Sequence, residues 1–299
     1  MEILNSILRA IGNTPLVRLD RLGRNSGIDG VDILGKVEAF NPGGSHKDRM
    51  AFRVIEDAEK QGTLKPGMEV VEATSGNLGA GLALVCAVKG YKFVAVMSEV
   101  ASMERRGMVE ALGAEVIVVP RPAALEPDPI ERAEEIARER HGFYVNQFFN
   151  RSNITAHRET TGKEILEQTD GRIDVFVTGI GSAGTFNGVV GALKAYNPEI
   201  RSVVVKPEAT NIPGIVPSSV EWPPFYDPSL IDDSVTVTDQ EARMGARRLA
   251  REEGILAGFS SGANIEGTLR VAKNMEKGQT VVTMIYGTGL KYLSTGLYP

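Results

Sequence analysis

A lysine occurs where a helix is expected to begin, in the segment NPGGSHKDRM. Residues 41–44 form a predicted turn, and Ser45 followed by Asp48 is close to a capping box, so we predict a helix over residues 46–61. Lys47 then falls in the first turn, where the partial positive charge of the helix end disfavours an ammonium. A lysine with a lowered pKa can form a Schiff base with an aldehyde. The alternative is a solvated lysine tolerated at a helix end.

A glycine-rich turn, TGIGSAGTFNGV, separates an apolar run from a helical pattern. Glycines let backbone N–H groups approach an anion closely, and the start of the following helix adds its dipole. Ser182 and Thr185 can add hydroxyl donors. The pattern predicts a phosphate-binding turn, with a purely structural glycine turn as the alternative.

The same turn permits a second interpretation. Its glycines fit the spacing G-x-G-x-x-G, and Glu208 lies near the position of a ribose-binding acid. A NAD-dependent oxidoreductase using GIGSAG is therefore an alternative, although that fingerprint normally opens the first βα unit and leaves Lys47 unexplained. The glycines concerned are Gly179, Gly181 and Gly184.

Two further turns carry hydroxyl and amide groups at predicted helix starts. In EATSGNLGAG, Thr74, Ser75 and Asn77 suit a carboxylate or a ring hydroxyl, and an ordinary capping turn is the alternative. In AGFSSGAN, the serine pair that begins at Ser260 is by itself most typical of a helix cap.

The elements that must position these residues alternate between strand and helix. Apolar, β-branched runs predict strands at 31–40, 68–74, 92–98, 115–120, 173–179, 201–207 and 280–287. Helical periodicity predicts helices at 46–61, 77–89, 102–112, 129–140, 154–168, 185–196, 239–253 and 262–276. This βαβ order predicts an α/β fold with parallel sheets flanked by helices.

The chain also shows a division and one long irregular stretch. A break near residues 147–153 separates two βα series, and a cleft between them would take a ligand. Residues 208–233, rich in proline, are expected to form a surface excursion near that site.

Composition narrows the classes of partner. The chain has 299 residues, enough for two domains, and a net charge of -5, which implies neither nucleic-acid nor membrane binding. Cys86 is the only cysteine and lies in an apolar run, so we expect a buried thiol and an intracellular setting. No basic leader or membrane-length apolar run occurs, which favours a cytoplasmic location.

Together with IGNTPLVRL and GLKYLSTGLY, these motifs resemble the cysteine synthase (O-acetylserine sulfhydrylase) family of pyridoxal 5'-phosphate (PLP) enzymes, and most of all its cysteine synthase B-like branch. The resemblance spans nearly the whole chain. It implies the fold-type II, tryptophan synthase β-like architecture. Its smaller, mobile substrate-binding domain would comprise residues 35–150 with 1–12, and its larger PLP phosphate-binding domain residues 13–34 and 151–299.

The resemblance also implies roles for single residues. Lys47 would bind PLP as a Schiff base, Asn77 would hold the ring hydroxyl, and Ser260 would face the pyridine nitrogen. The phosphate loop would consist of Gly181, Ser182, Ala183, Gly184 and Thr185. The substrate would be bound by Thr74, Ser75, Gly76, Leu78 and Gln147. No metal is implied.

The implied reaction is a β-replacement that makes L-cysteine from O-acetylserine, or a related O-activated serine, and sulfide through an aminoacrylate intermediate. Cystathionine, cyanoalanine or diaminopropionate synthesis, or a β-elimination, would use the same scaffold. A family member that binds PLP or a protein partner without turnover is a further alternative. The resemblance implies a homodimer acting on an amino acid and a sulfur nucleophile.

Three residues depart from the family pattern. Leu78 replaces a threonine, so one carboxylate donor is missing and an apolar side chain would face the site. His46 replaces an aliphatic residue and is expected to be a partly exposed first-turn histidine, or else to take part in proton transfer. Lys206 replaces a glutamate and would either attract an anionic substrate group or pair with an acid such as Glu208.

Overall fold

The computed structural model describes residues 3–120, 128–208, 212–216 and 223–299 of the chain. In chain order the strands are β1 (Leu16–Arg18), β2 (Asp32–Val37), β3 (Glu69–Ala73), β4 (Lys92–Ser98), β5 (Glu115–Val119), β6 (Phe143–Tyr144), β7 (Val175–Gly179), β8 (Arg201–Pro207), β9 (Asp233–Val237) and β10 (Thr280–Ile285). They form two sheets, one in the order β1-β2-β10-β7-β8-β9 and one in the order β5-β4-β3-β6. Of the pairs in these ranges only β1 with β2 is antiparallel.

Helices cover both sheets. They are α1 (Asp20–Asn25), α2 (Lys47–Gln61), α3 (Asn77–Lys89), α4 (Met103–Ala111), α5 (Pro129–Glu139), α6 (Ser152–Ala156), α7 (Gly162–Thr169), α8 (Gly184–Tyr196), α9 (Asp239–Glu253) and α10 (Phe259–Ala272). A π-helical turn, His157–Thr161, joins α6 to α7, and short 3-10 turns occupy Ile7–Ala10, Glu38–Phe40, Pro228–Leu230 and Gly289–Thr295. No helix of the described ranges is long and apolar enough to cross a bilayer.

Alternating side chains of the strands supply a core on each face of each sheet. In the larger sheet, Val177 packs in the core that holds Leu249 of α9, whereas the neighbouring Phe176 packs with Phe186 of α8. In the smaller sheet, α2 and α3 cover one face and α5 covers the other. Because both faces are buried, the strands are continuous apolar runs, and the predicted α/β architecture is confirmed.

The differences from the predicted elements have local causes. The sequence missed α1 and three strands, β1, β6 and β9, all of which have six residues or fewer. The strands β1, β6 and β9 lie at sheet edges, where backbone pairing with one neighbour orders the chain without a strong apolar pattern. The helix predicted over residues 154–168 is divided by the π-helical turn, and α10 begins at Phe259, three residues before its predicted start.

The predicted domain limits can be compared with the residues at which the two sheets end and begin. Strand β2 pairs with β10 through Val37, and the four-stranded sheet begins at Glu69. The limits at 34/35 and 150/151 stay a prediction. Residues 209–211 and 217–222 of the expected excursion lie outside the described residues.

Candidate active site

A cavity of about 520 Å³ lies between the two sheets. The first turns of four helices reach it, namely those of α2, α3, α8 and α10. Parallel strands of open α/β sheets present their carboxyl ends to such crevices, because the turns that follow them gather there. Of the predicted site residues, the cavity is lined by Lys47, Thr74, Ser75, Asn77, Leu78, Gln147, Gly181, Ser182, Ala183, Thr185 and Ser260.

Lys47 is the first residue of α2 and connects the two sides of the cavity. Its Nζ donates a hydrogen bond to Ser182 Oγ at 3.2 Å, across 135 residues of sequence. Burial lowers the pKa of the Lys47 amine to about 8, and the nearby Glu72 carboxyl opposes this effect. The expected lowering is present, with burial as its main cause rather than the helix end alone. An appreciable fraction of the amine is therefore neutral and nucleophilic near pH 8.

The predicted capping box before Lys47 does not form. The residue preceding α2 is His46, and it makes no side-chain cap. Ser45 Oγ instead accepts a hydrogen bond from the Lys47 backbone N–H at 3.3 Å, and the Asp48 carboxylate turns back to accept one from the Gly43 N–H. Asp48 is fully buried, so its side chain bonds to the preceding turn rather than to the helix start.

The glycine turn forms the opposite side of the cavity. Ala183 precedes α8 with φ +63°, in the left-handed region, and makes no side-chain cap, so the first N–H groups of α8 lack a capping side chain. Gly184 does not line the cavity. A Cβ at this position would point at Asn153 and lie 2.1 Å from its Oδ1. Asn153 Nδ2 in turn donates to Ser182 Oγ at 2.9 Å. Gly184 thus permits the close packing that positions Ser182.

Two histidines lie beside this turn, namely His46, which lines the cavity, and His157, which sequence reasoning did not place in the site. His157, on the π-helical turn, contacts Thr185 Oγ1 through Nε2 at 3.2 Å. His46 stacks near Tyr286, with ring centroids 4.6 Å apart, and its Nδ1 contacts the Tyr286 carbonyl oxygen at 3.1 Å. Burial lowers the pKa of both histidines well below 6.5, so both rings are neutral at pH 7. The expectation of a partly exposed His46 was wrong, since the residue is buried and its ring packs near those of Tyr286 and His157.

The turn before α3 has a different internal structure. Thr74 Oγ1 accepts hydrogen bonds from the N–H groups of Gly76 at 3.0 Å and Gly79 at 2.9 Å. Gly76 has φ +134°, and a Cβ there would lie 2.3 Å from Arg105 Cδ. Gly76 therefore serves the shape of the turn and does not itself line the cavity. Thr74 retains its hydroxyl proton for an acceptor in the cavity.

Arg105 is a cavity residue that the sequence did not indicate. Its Nη1 donates to the Ser75 carbonyl oxygen at 2.8 Å, and its guanidinium lies 4.5 Å from the centre of the Tyr292 ring. No aspartate or glutamate among the described residues lines the cavity, whereas Lys47 and Arg105 both do. The cavity is therefore suited to anions.

Gln147 enters the cavity from the segment after β6, held by a buried acid. Its Nε2 donates to Glu72 Oε1 at 3.0 Å and to the Ala73 carbonyl oxygen at 3.2 Å. Burial raises the pKa of Glu72 to about 8, so this carboxyl is mostly protonated at pH 7. An acid within the apolar run of β3 was the signal in the sequence that could have identified Glu72.

Two of the three departures from the family pattern, Leu78 and Lys206, and the only cysteine differ in where they lie. Leu78 lines the cavity and is only 3% exposed, as expected for an apolar side chain facing the site. Lys206 is half-buried on β8, forms no ion pair with Glu208 or any other described residue, and does not line the cavity. Cys86 is buried, as expected, and burial raises its thiol pKa to about 12.

These groups fit a phosphorylated aldehyde. An uncapped helix start with two hydroxyls offers donors for a phosphate, and a lysine amine of lowered pKa lies within hydrogen-bond distance of one of those hydroxyls. The volume accommodates a cofactor with a small amino acid beside it. Together with the two mainly parallel sheets, this site defines a PLP enzyme of fold-type II.

Comparison with known proteins gives the family. Residues 7–287 match the family of pyridoxal-phosphate dependent enzymes, and the chain belongs to it. The chain is 43% identical to O-ureido-L-serine synthase of Streptomyces lavendulae over all of this chain and 94% of that protein. It is also 43% identical to cysteine synthase of Staphylococcus aureus, over 99% of this chain and 97% of that protein. The crystal structure of a cysteine synthase from Entamoeba histolytica superposes with a TM-score of 0.92, at 38% identity over 99% and 91% of the chains.

These findings confirm several predictions. The chain is a cysteine synthase-like enzyme that uses PLP and performs β-replacement. The NAD-dependent and non-catalytic alternatives are set aside, because the chain belongs to the pyridoxal-phosphate dependent enzymes and its relatives are enzymes of that family. The B-like branch stays a prediction, since relatives with two different products are equally similar.

Proposed function

We propose that this protein makes L-cysteine, exchanging the leaving group of O-acetyl-L-serine or a related O-activated serine for sulfide. The position of Lys47 carries this proposal. Its amine has a pKa of about 8 and contacts Ser182 of the glycine turn, in a cavity that also contains the Thr74–Leu78 turn. One lysine can therefore serve the cofactor and the substrate in succession.

PLP supplies the electron sink that makes the α-proton of the substrate acidic. Lys47 Nζ removes that proton, and the leaving group departs with the Cβ–O electron pair. Hydrosulfide then adds to Cβ, and Lys47 Nζ returns a proton to Cα. The Ser182 and Thr185 hydroxyls and the first N–H groups of α8 would hold the phosphate, while Asn77 and Ser260 would face the ring.

The substrate carboxylate is assigned to the turn before α3. Thr74 retains a hydroxyl proton, and Ser75 contributes a second hydroxyl at the cavity surface. Gln147 joins them once its amide turns away from Glu72 and Ala73. The part of the protein built on the smaller sheet then moves toward the substrate. This closure would exclude water from the reaction. The homodimer and the cytoplasmic location implied by the resemblance stay predictions.

A second product merits a direct test, because O-ureido-L-serine synthase is as similar to this chain as cysteine synthase is. The product that gives this relative its name carries a urea group on the Cβ oxygen, so the nucleophile at Cβ would be hydroxyurea. A urea group is larger than sulfide and needs hydrogen-bond partners of its own, so the two nucleophiles make different demands on the cavity.

The test supplies the purified PLP enzyme with O-acetylserine and either sulfide or hydroxyurea, and identifies the product by mass spectrometry. We expect cysteine at a kcat/KM at least about tenfold above that for O-ureidoserine. O-phosphoserine and serine in place of O-acetylserine identify the leaving group. A higher kcat/KM with hydroxyurea would overturn the cysteine assignment in favour of the second product.

The variant Lys47→Ala tests the role of the lysine amine in the same reaction. We expect it to lower turnover by at least about a thousandfold, because both the covalent link and the base are removed. Thermal unfolding of the apoprotein should change little, because the Lys47 side chain makes a single hydrogen bond with the described residues. Turnover near that of the wild type would contradict the role of this lysine.

A further inference from the structure

Lys291 places a charged group inside the protein next to the cavity. It lies on the 3-10 turn Gly289–Thr295 and is only 1% exposed. Its Nζ donates to the Gly43 carbonyl oxygen at 2.8 Å and to Asn77 Oδ1 at 3.1 Å. A single ammonium therefore joins the turn that precedes Lys47 to the first residue of α3.

The contact with Asn77 determines which atom of the amide faces the ligand. An ammonium has donors and no acceptor, so the Asn77 atom beside Lys291 must be the carbonyl oxygen Oδ1. The amide nitrogen Nδ2 is left on the other side of the group, and Asn77 lines the cavity. Asn77 can thus donate a hydrogen bond to a ligand oxygen but cannot accept one there.

The charge of Lys291 interacts with that of a buried acid, Asp48, whose own pKa is raised to about 7 by burial. Asp48, the residue after Lys47, is fully buried, and its Oδ1 has no hydrogen-bond partner among the described residues. Burial lowers the pKa of Lys291 to about 8, and the Asp48 carboxylate opposes that effect. The turn carrying Lys291 is itself fixed, because Ser102 Oγ donates to the Lys291 carbonyl oxygen at 2.9 Å.

We propose that Lys291 is a positioning residue of the cofactor site, which holds the Asn77 amide with its nitrogen toward the ring oxygen of PLP. The inference deepens the proposed function, because it rests on the assignment of Asn77 to the cofactor ring. A donor aimed at that oxygen stabilises its deprotonated form. A freely rotating amide could instead present Oδ1, which would accept a hydrogen bond from the protonated ring oxygen and so stabilise that form.

The two forms of the bound cofactor have different colours, which gives a readout independent of turnover. With the ring oxygen deprotonated the lysine-bound cofactor absorbs in the visible, and with it protonated it absorbs in the near ultraviolet. We expect Lys291→Met to raise the ratio of near-ultraviolet to visible absorbance by about tenfold. The reason is that the charge-assisted hydrogen bond that orients the Asn77 amide is lost. The PLP dissociation constant, from titration of the apoprotein, should rise about fivefold to tenfold.

Three further variants test whether Lys291 acts on the cofactor through Asn77. In an Asn77→Ala background, Lys291→Met should add nothing to the spectrum, because the oriented amide is already absent. Asn77→Asp keeps an acceptor for Lys291 and removes the donor to the ligand, so it should shift the spectrum in the same direction. Lys291→Arg retains donors and should restore most of the visible band. Asn77→Asp and Asn77→Ala keep the proposal testable if the Lys291 variants fold poorly.

A second buried lysine provides the control for a merely structural effect. Lys36 is fully buried, donates to the Thr14 carbonyl oxygen and Gln168 Oε1, and pairs with Glu164, but it does not line the cavity. Lys36→Met should lower the melting temperature of the apoprotein without changing the band ratio. An unchanged spectrum in Lys291→Met, or a shift that persists in the Asn77→Ala background, would overturn the proposal. Absence of cysteine formation by a wild type with a normal spectrum would count against the proposed function only.

Discussion

The turns before α3 and α8 solve the same structural problem in different ways. Each follows a parallel strand, begins a 13-residue helix and opens into the same cavity. Before each helix a residue with positive φ, Gly76 or Ala183, aims N–H groups at the cavity without a cap from its own side chain. Helices α4, α5 and α9 start with side-chain caps from Ser102, Asp128 and Thr238, none of which lines the cavity.

The surroundings of the two turns differ in charge and in hydrogen bonding. Behind α8 lie neutral groups, including Asn153 and the neutral imidazole of His157. Beside α3 lie two cations, Arg105 and Lys291, and the turn is held internally by Thr74. The α8 turn is thus built from backbone and close packing, and the α3 turn from side chains and nearby charge.

The difference agrees with the two kinds of ligand in the proposed function. A phosphate that stays bound is held by fixed N–H groups, which need no rearrangement. A substrate that must enter and leave is better served by hydroxyls and cations on a part of the fold that can move. Variants of the α8 turn should therefore change the binding of PLP, and variants of the α3 turn should change the kinetic parameters for the substrate.

The largest change in PLP binding is expected from Gly184→Ala. The new Cβ would lie 2.1 Å from Asn153 Oδ1, and displacement of Asn153 would remove its hydrogen bond to Ser182. We expect the PLP dissociation constant, measured by fluorescence titration, to rise about 30-fold to 100-fold. Gly191→Ala in the same helix is the control, because nothing lies within 4 Å of its Cβ. Equal PLP binding by both variants would refute the packing role of Gly184.

A hydroxyl deletion in each turn should give opposite kinetic signatures. Thr185→Val removes a phosphate donor and should raise the PLP dissociation constant about tenfold, with KM for O-acetylserine unchanged in the PLP-saturated enzyme. Thr74→Val leaves the Gly76 and Gly79 N–H groups unpaired and should lower kcat/KM about tenfold to 30-fold with PLP binding unchanged. If both variants changed the same parameter, the proposed division between the turns would be wrong.

The pKa of Lys47 predicts a pH dependence for cofactor capture. Because the neutral amine is the nucleophile and its pKa is about 8, the rate of capture by the apoprotein should rise with pH and level off above about 8. Below that pH it should fall about tenfold per unit. Stopped-flow absorbance at saturating PLP measures this rate. A plateau reached only near the ordinary lysine pKa, about 10.4, would show that burial does not activate the amine.

The smallest effect is expected from Leu78→Thr, which adds a hydroxyl to the α3 turn. One hydrogen bond to the substrate carboxylate should lower KM for O-acetylserine about threefold to tenfold, while PLP affinity stays constant. The buried position of Leu78 also predicts a modest loss of stability, which thermal unfolding would detect. A rise in KM would mean that this side chain does not face the carboxylate.

Local patterns in the sequence were sufficient for most elements and for the turns at their ends. The strand before each glycine-containing turn and the helix after it occur close to the predicted limits, because apolar periodicity and turn residues act over short distances. The same patterns identified Lys47, Asn77 and the 181–185 turn as groups that could bind a ligand. They could not identify edge strands such as β9, whose order depends on a neighbour distant in sequence.

The amino-acid sequence by itself determined the α/β architecture and the class of enzyme, and it singled out the amine that we propose performs the chemistry. Only the tertiary structure decided what surrounds that amine. Lys47 meets Ser182 across 135 residues, and Lys291 meets Asn77 across 214 residues. Burial and charge at such a site are sums over side chains from distant segments, and chain packing alone brings those segments together.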